Sequence, residues 1–181
     1  MTSLLTVIGK DRPGIIARVT GVLFRFGCNL EDISMTILEG EFAMMLIFVM
    51  KSRRQKETIL KALTPLEKAW RMSFFWKNLP RKLKRGEVHP KKTESFIVTA
   101  IGKDQTGIVH KVSRALSGFH LNITDLNSRI LGHGRKVLYA MALEVDIPKD
   151  FSLEALDRAL EKLRRKLQIE IKIRPVERLE F

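Results

Sequence analysis

A chain of 181 residues, 45% hydrophobic and 29% charged, has the composition of an ordinary globular protein, sized for one domain or two small ones. Its single cysteine, Cys28, excludes an intrachain disulfide and suits a reducing, cytoplasmic setting. The net charge of +13 is uneven, because residues 77–93 carry Lys77, Arg81, Lys82, Lys84, Arg85, Lys91 and Lys92 against Glu87 alone, which can draw in nucleic acid or an acidic protein surface; with no nucleic-acid motif beside it, the simpler reading is a solvated linker.

The apolar run Leu4 to Ile8 predicts a short strand, too short for a signal peptide or a membrane span. At Asp11-Arg12-Pro13-Gly14 a helix is expected to start, with Asp11 capping its free N–H groups and Pro13 tolerated in its first turn. Ile15, Ile16, Val19, Val22, Leu23 and Phe26 follow at helical spacing, and Gly27 is the expected left-handed terminator. Asn29 to Asp32 reads as a turn. Ile33 to Leu38 and Phe42 to Met50 read as a hairpin closed at Glu39-Gly40-Glu41. A polar helix is expected from about Arg53, broken or kinked by Pro65 near Leu63-Thr64, and then a last strand from Arg71 to Trp76.

The chain then repeats itself, 93 positions on. From Gly9 to Leu38, 12 of 30 positions are identical to their counterparts without a gap: Gly9, Lys10, Asp11, Gly14, Ile15, Val19, Leu23, Phe26, Asn29, Asp32, Ile37 and Leu38. That marks an internal duplication. The second copy is expected to run through a strand at Phe96 to Ile101, a helix from about Gly107 to Ser117 ended by Gly118, and a hairpin of Asn127 to Leu131 and Arg135 to Val145 with a longer turn at Gly132-His133-Gly134. A helix from Leu153 to Leu167 capped by Ser152 and a strand at Ile169 to Ile173 complete it. Strand–helix–strand–strand–helix–strand is the ferredoxin-like order, so the fold class is α+β with two βαββαβ modules, each a four-stranded antiparallel sheet carrying both helices on one face. The expected organisation is a module at 1–76, a basic linker at 77–93 and a module at 94–181. Each module is marginal alone, since a unit of this size buries only about 60–65% of its unfolded surface. Packing of modules and a homo-oligomer are therefore expected, also because the bare sheet face and sheet edges need cover.

Both copies, through Gly-Lys-Asp-x-x-Gly-Ile-(Ile/Val), an apolar helix and Asn-(Leu/Ile)-x-Asp-(Ile/Leu), resemble ACT domains, the small-molecule sensor modules of amino-acid metabolism, over about 160 of the 181 residues. Two such modules with nothing else look like the glycine cleavage system transcriptional repressor family. The first copy is also similar to the module that precedes formyltetrahydrofolate deformylase catalytic domains. The resemblance implies ligand sites at a module interface, built from Asp11, Pro13, Gly14 and Asn29 and from Asp104, Gly107 and Asn122. The chemistry suits a small amino acid, glycine or serine foremost: a helix N-terminus takes the carboxylate, Asp11 or Asp104 meets the ammonium, and an Asn amide serves either end. A structural reading of these residues stands beside it, with Asp capping the helix, Gly serving a tight turn and Asn bonding its own turn. The copies also differ, Arg12-Pro13 becoming Gln105-Thr106 and Ala17 becoming His110.

The remaining candidates point to structure. His89, His110, His120 and His133 lack metal-ligand spacing and are expected at the surface or a pocket rim. Cys28 is expected buried. Met35, Met44, Met45 and Met50 read as core, and at least one of Phe74, Phe75 and Trp76 must face outward. No zinc, phosphate-loop or triad signature occurs, so neither a metal, a cofactor nor catalysis is expected. The expectation is a cytoplasmic, non-enzymatic regulator that binds a small amino acid and modulates a protein partner, such as a transcription factor of glycine or one-carbon metabolism. The alternatives are a separate regulatory subunit of a metabolic enzyme, or nucleic-acid binding through residues 77–93. No membrane association and no sequence-specific nucleic-acid binding are expected.

Overall fold

The computed structural model of the protein describes residues 1–79, 92–132 and 137–176. The chain divides into two compact units, Met1–Arg85 and Gly86–Phe181. The first contains β1 (Thr2–Lys10), α1 (Ile15–Arg25), β2 (Asn29–Leu38), β3 (Glu41–Val49), α2 (Gln55–Trp70) and β4 (Ser73–Asn78). The second contains β5 (Thr93–Lys103), α3 (Ile108–Gly118), β6 (Asn122–Leu131), β7 (Leu138–Pro148), α4 (Leu153–Leu167) and β8 (Ile169–Pro175). The sheets are ordered β2-β3-β1-β4 and β6-β7-β5-β8, with every neighbouring pair antiparallel. Each unit is thus the expected ferredoxin-like module. Most of the linker expected at 77–93 lies outside the described residues, although Lys77 and Asn78 belong to β4.

Alternation along the strands builds each core. In the first unit Leu5 and Val7 of β1 and Phe42, Met44, Leu46 and Phe48 of β3 are buried on one sheet face, against Ile15, Val19 and Leu23 of α1 and Ile59 and Leu63 of α2. In the second unit Val98 and Ala100 occupy the positions of Leu5 and Val7, and Ile108, Val112 and Leu116 those of Ile15, Val19 and Leu23. Each such side chain larger than alanine contributes about 1.5–3 kcal/mol on removal from water, which explains why the duplicated positions keep their apolar character.

Several elements depart from expectation. Both first helices begin only after the loop glycine: Gly14 and Gly107 are the cap residues, each at φ +92°, and no side chain caps either helix. Asp11 and Asp104 are therefore not caps, and Pro13 precedes the helix. Ser152 does hold the cap position of α4, but its hydroxyl makes no capping bond. Gly27 terminates α1 as expected, with its N–H on the Phe24 carbonyl and that of Cys28 on the Leu23 carbonyl. In the second unit Gly118 lies within the helix, and His120, 93 residues after Gly27, takes the left-handed position at φ +58°.

The segments read as turns at Asn29 and Asn122 are the starts of β2 and β6. Register shifts at Leu30/Asp32 and Ile123/Asp125 absorb one residue each, so these polar stretches still pair with β3 and β7. Pro65 does not end α2, which continues to Trp70. Proline removes one helical donor, and the packing of Ile59 and Leu63 outweighs that loss. Met44 and Met50 are core, whereas Met35 and Met45 are 41% and 50% exposed. Phe75 is the outward aromatic, while Trp76 packs edge-on to Phe48 with ring centres 5.1 Å apart. Cys28 is half-buried.

Candidate functional site

β1 ends at Lys10, opposite Glu41, and the chain crosses to α1 through Asp11–Gly14. The Asp11 N–H donates to the Gly40 carbonyl at 2.8 Å, fastening this loop to the β2–β3 turn. In that turn Glu39 and Gly40 both have positive φ, the conformation a two-residue hairpin needs. A Cβ on Gly14 would meet only Trp70 Cη2, at 3.7 Å, so its left-handed backbone rather than lack of space calls for glycine. The Asp11 carboxylate is exposed and takes no hydrogen bond or ion pair among the described residues.

Beside this loop lies a cleft of about 630 Å³. Asp11, Arg12, Pro13, Gly14 and the first turn of α1 form one wall, and Met35, Ile37 and Phe42 of the sheet form the other. The first N–H groups of α1 have no partner within the helix and carry its partial positive charge. The cleft therefore offers cationic and anionic recognition within one loop, over an apolar wall. Arg12 and Arg18 place their guanidinium carbons 5.4 and 4.6 Å from the centre of the Trp70 ring. These cation–π contacts tie the loop to the end of α2. Sequence reasoning passed over Arg12, Trp70, Met35, Ile37 and Phe42 as site residues; the available signal was Trp70 itself, the single aromatic of α2.

The second loop is held differently. Gly107 repeats the φ of Gly14, but Gln105, in the position of Arg12, donates from Nε2 to the Leu167 carbonyl at 2.7 Å, and so caps the end of α4. Asp104 is exposed without a partner among the described residues.

The asparagines are not beside these loops. Asn29 pairs with Val49, which pairs with Thr2, whereas the loop leaves from Lys10, across from Glu41 and Leu38. Eight residues of strand, roughly 26 Å, separate the two ends. Asn122 likewise stands opposite Asp146 and Ser95, at the far end of its sheet from Asp104. The structure thus brings Asp11, Pro13 and Gly14 into one cleft and leaves Asn29 outside it. Asn29 donates from Nδ2 to Glu31 Oε1 at 2.8 Å on the surface. The described histidines, His110 and His120, are exposed, and among the described residues no group of three His, Cys, Asp or Glu side chains could hold a metal ion; His89 and His133 lie outside them. No described helix is long and apolar enough to cross a membrane.

Comparison with known proteins bears on the fold and the family. The chain is 41% identical over 61 residues to a UPF0237 protein of Streptococcus pneumoniae, covering 34% of this chain and 68% of that one. Among solved structures, an unknown protein from Galdieria sulphuraria superposes with a TM-score of 0.80 at 22% identity, over 97% of this chain and 98% of its own. A protein provisionally described as a glycine cleavage system transcriptional repressor superposes with a TM-score of 0.69 at 17% identity, over 98% of both chains. At these identities the two structures speak for the fold. The ACT domain family itself matches residues 2–77 and again 94–174, and the chain therefore belongs to the ACT-domain family, with the domain present twice in tandem.

Proposed function

We propose that the protein is a non-enzymatic sensor of a small amino acid, glycine or serine foremost, that passes ligand occupancy on to a protein partner. The observation that carries this reading is the cleft beside Asp11–Gly14, where unpaired helix N–H groups and an unpartnered carboxylate lie within one loop. An α-amino acid presents a carboxylate and an ammonium a few bonds apart. The helix end suits the former and Asp11 the latter. Pro13 and Gly14 shape the backbone between them. Asp104 and Gly107 offer the same pair of groups in the second copy.

Asn29 enters this reading through a second copy of the chain. β2 is an edge strand with Asn29 at one end and the loop cleft at the other. Two β2 edges laid antiparallel would set the Asn29 amide of one copy against the Asp11–Gly14 loop of the other, in line with a homo-oligomer. Asn122 on edge strand β6 stands in the same relation to Asp104 and Gly107. Ligand would then act by stabilising one packing of subunits in proportion to its differential affinity for the two states. A transcription factor of glycine or one-carbon metabolism is the partner that the family likeness favours.

The test is a thermal-shift screen of the protein against the common amino acids, repeated on Asp11→Asn, Asn29→Ala and Asn122→Ala. A ligand at 100 times its dissociation constant stabilises the folded state by about 2.7 kcal/mol. A shift with one amino acid, lost in Asp11→Asn and in Asn29→Ala, is expected. No shift with any of them removes the sensor reading.

A further inference from the structure

On the second unit, α3 and α4 enclose a groove of about 730 Å³. Its floor is low and apolar, made by Ala115, Gly118, Ala155 and Ala159, with Phe119 and Leu163 adding larger apolar surface. Its rims are cationic: Lys111 and Arg114 from α3, Arg158 and Lys162 from α4. No acidic side chain lines it, and none of the four cations has an ion pair among the described residues.

Two of the three acids of α4 are engaged elsewhere, and the third, Glu154, lies in its first turn. Asp157 and Glu161 hold Arg164 at 2.8 and 3.0 Å, and Glu161 also holds Arg165 at 2.9 Å. Like charges one helical turn apart, as in Arg158 and Lys162, weaken a helix by a few tenths of a kcal/mol, a cost that this arrangement carries. The duplication supplies a comparison. The matching groove of the first unit, about 450 Å³, is lined by only two cations, Arg18 and Arg25, and Arg18 already lies over Trp70. The ferredoxin-like fold therefore does not require a four-cation groove.

We propose that the α3–α4 groove docks an acidic amphipathic helix of another protein. The apolar face of such a helix covers the alanine floor, where small side chains permit close approach, and its carboxylates reach the cations on both rims. A nucleic acid or an anionic membrane satisfies the rims but not the floor. A second copy of this chain, at +13, brings like charge to a cationic surface. The proposal is independent of the amino-acid site.

The test titrates the full-length protein into a fluorescein-labelled helical peptide of roughly 18 residues, Leu and Ala along one face and Glu on its flanks, and reads anisotropy. A scrambled peptide of identical composition is the control. Expected are binding about tenfold tighter for the patterned peptide, and a loss of about tenfold both in Arg114→Glu/Arg158→Glu and in Ala159→Trp, which fills the floor and keeps the charge. The charge-reversed protein is surface-altered only, and its folding is checked by circular dichroism. Arg25→Glu, in the first unit's groove, leaves affinity unchanged. Equal binding of the scrambled peptide, or an equal loss in Arg25→Glu, overturns the proposal. So does tighter binding of duplex DNA or of phosphatidylglycerol vesicles that is lost in the charge-reversed protein.

Discussion

Replacing Gly102 by alanine tests how the repeated Ile-Gly-Lys-Asp segment is held. A Cβ at Gly102 would lie 2.4 Å from Ile169 Cγ2, 2.7 Å from its Cβ and 3.0 Å from its Cα. Ile169 is the register partner of Gly102 on β8 and is 6% exposed. Its branched side chain has few rotamers to retreat into, and relief at its Cα requires backbone movement. Overpacking of this kind costs about 1–3 kcal/mol, against a gain of about 0.4–1 kcal/mol from the stiffer unfolded chain. The net loss is about 1–2 kcal/mol, or a fall of roughly 5–15 °C in the melting temperature of a unit of this size. Gly9 is the internal control. A Cβ there would meet Met72 Cγ at 3.1 Å, on an unbranched side chain that can move aside, and backbone only at 3.3 Å (Met72 Cα) and 3.4 Å (Arg71 O), so Gly9→Ala is expected to cost less than Gly102→Ala, about 1 kcal/mol at most. Both tryptophans, Trp70 and Trp76, lie in the first unit. Tryptophan fluorescence therefore follows that unit, while far-UV circular dichroism follows both and detects the lowered transition of the second unit in Gly102→Ala relative to the parent protein. An unchanged dichroism transition in Gly102→Ala, or an equal loss in Gly9→Ala, refutes the reasoning.

Other outcomes follow from the same physics. Gly21 lies inside α1, where a Cβ would meet nothing within 4 Å, so Gly21→Ala should stabilise the first unit by about 0.5–1 kcal/mol, read as a higher fluorescence midpoint. Arg164 donates from Nε to the Ile171 carbonyl at 2.6 Å while holding Asp157 and Glu161, so Arg164→Ala should cost about 1–2 kcal/mol, seen as a lower urea midpoint at unchanged slope. The hydrogen bonds from Arg164 and Arg165 hold the Glu161 carboxyl below its ordinary range, and Lys172 does the same for Glu170. A carboxylate whose pKa is depressed on folding contributes its stability fully above the unfolded pKa and loses it as pH falls through the folded one. The second unit should therefore weaken in acid, with a flatter pH dependence in Glu161→Gln/Glu170→Gln. Burial pushes the Cys28 thiol up, so alkylation by iodoacetamide at pH 8 should be slower than for a free thiol and should keep rising beyond the ordinary thiol pKa.

The sequence by itself determined what is local. Strands alternate every two residues and helices every 3.6, so Leu5, Val7, Val19 and Leu23 declared their core faces without a neighbour in sight. The 93-residue offset declared the tandem modules, and Gly27 its left-handed turn. What depended on distant partners was not legible. Asn29 and Asn122 look like turn residues, yet β3 and β7 supply hydrogen bonds across a bulge and make them strand. Pro65 looks like a helix end, yet core packing carries α2 past it. Arg12 and Gln105 look like one loop position with two side chains, and only the chain's return to Trp70 or Leu167 tells them apart. The arrangement of the candidate site belongs to this second kind. The motif records that Asn29 follows Asp11 after one helix. The tertiary structure decides that they lie at opposite ends of the sheet, because β2 and β1 both run antiparallel to β3 and so run parallel to each other. The crossover helix therefore returns the chain to the end where β1 began, and the two halves of the motif lie apart within the module.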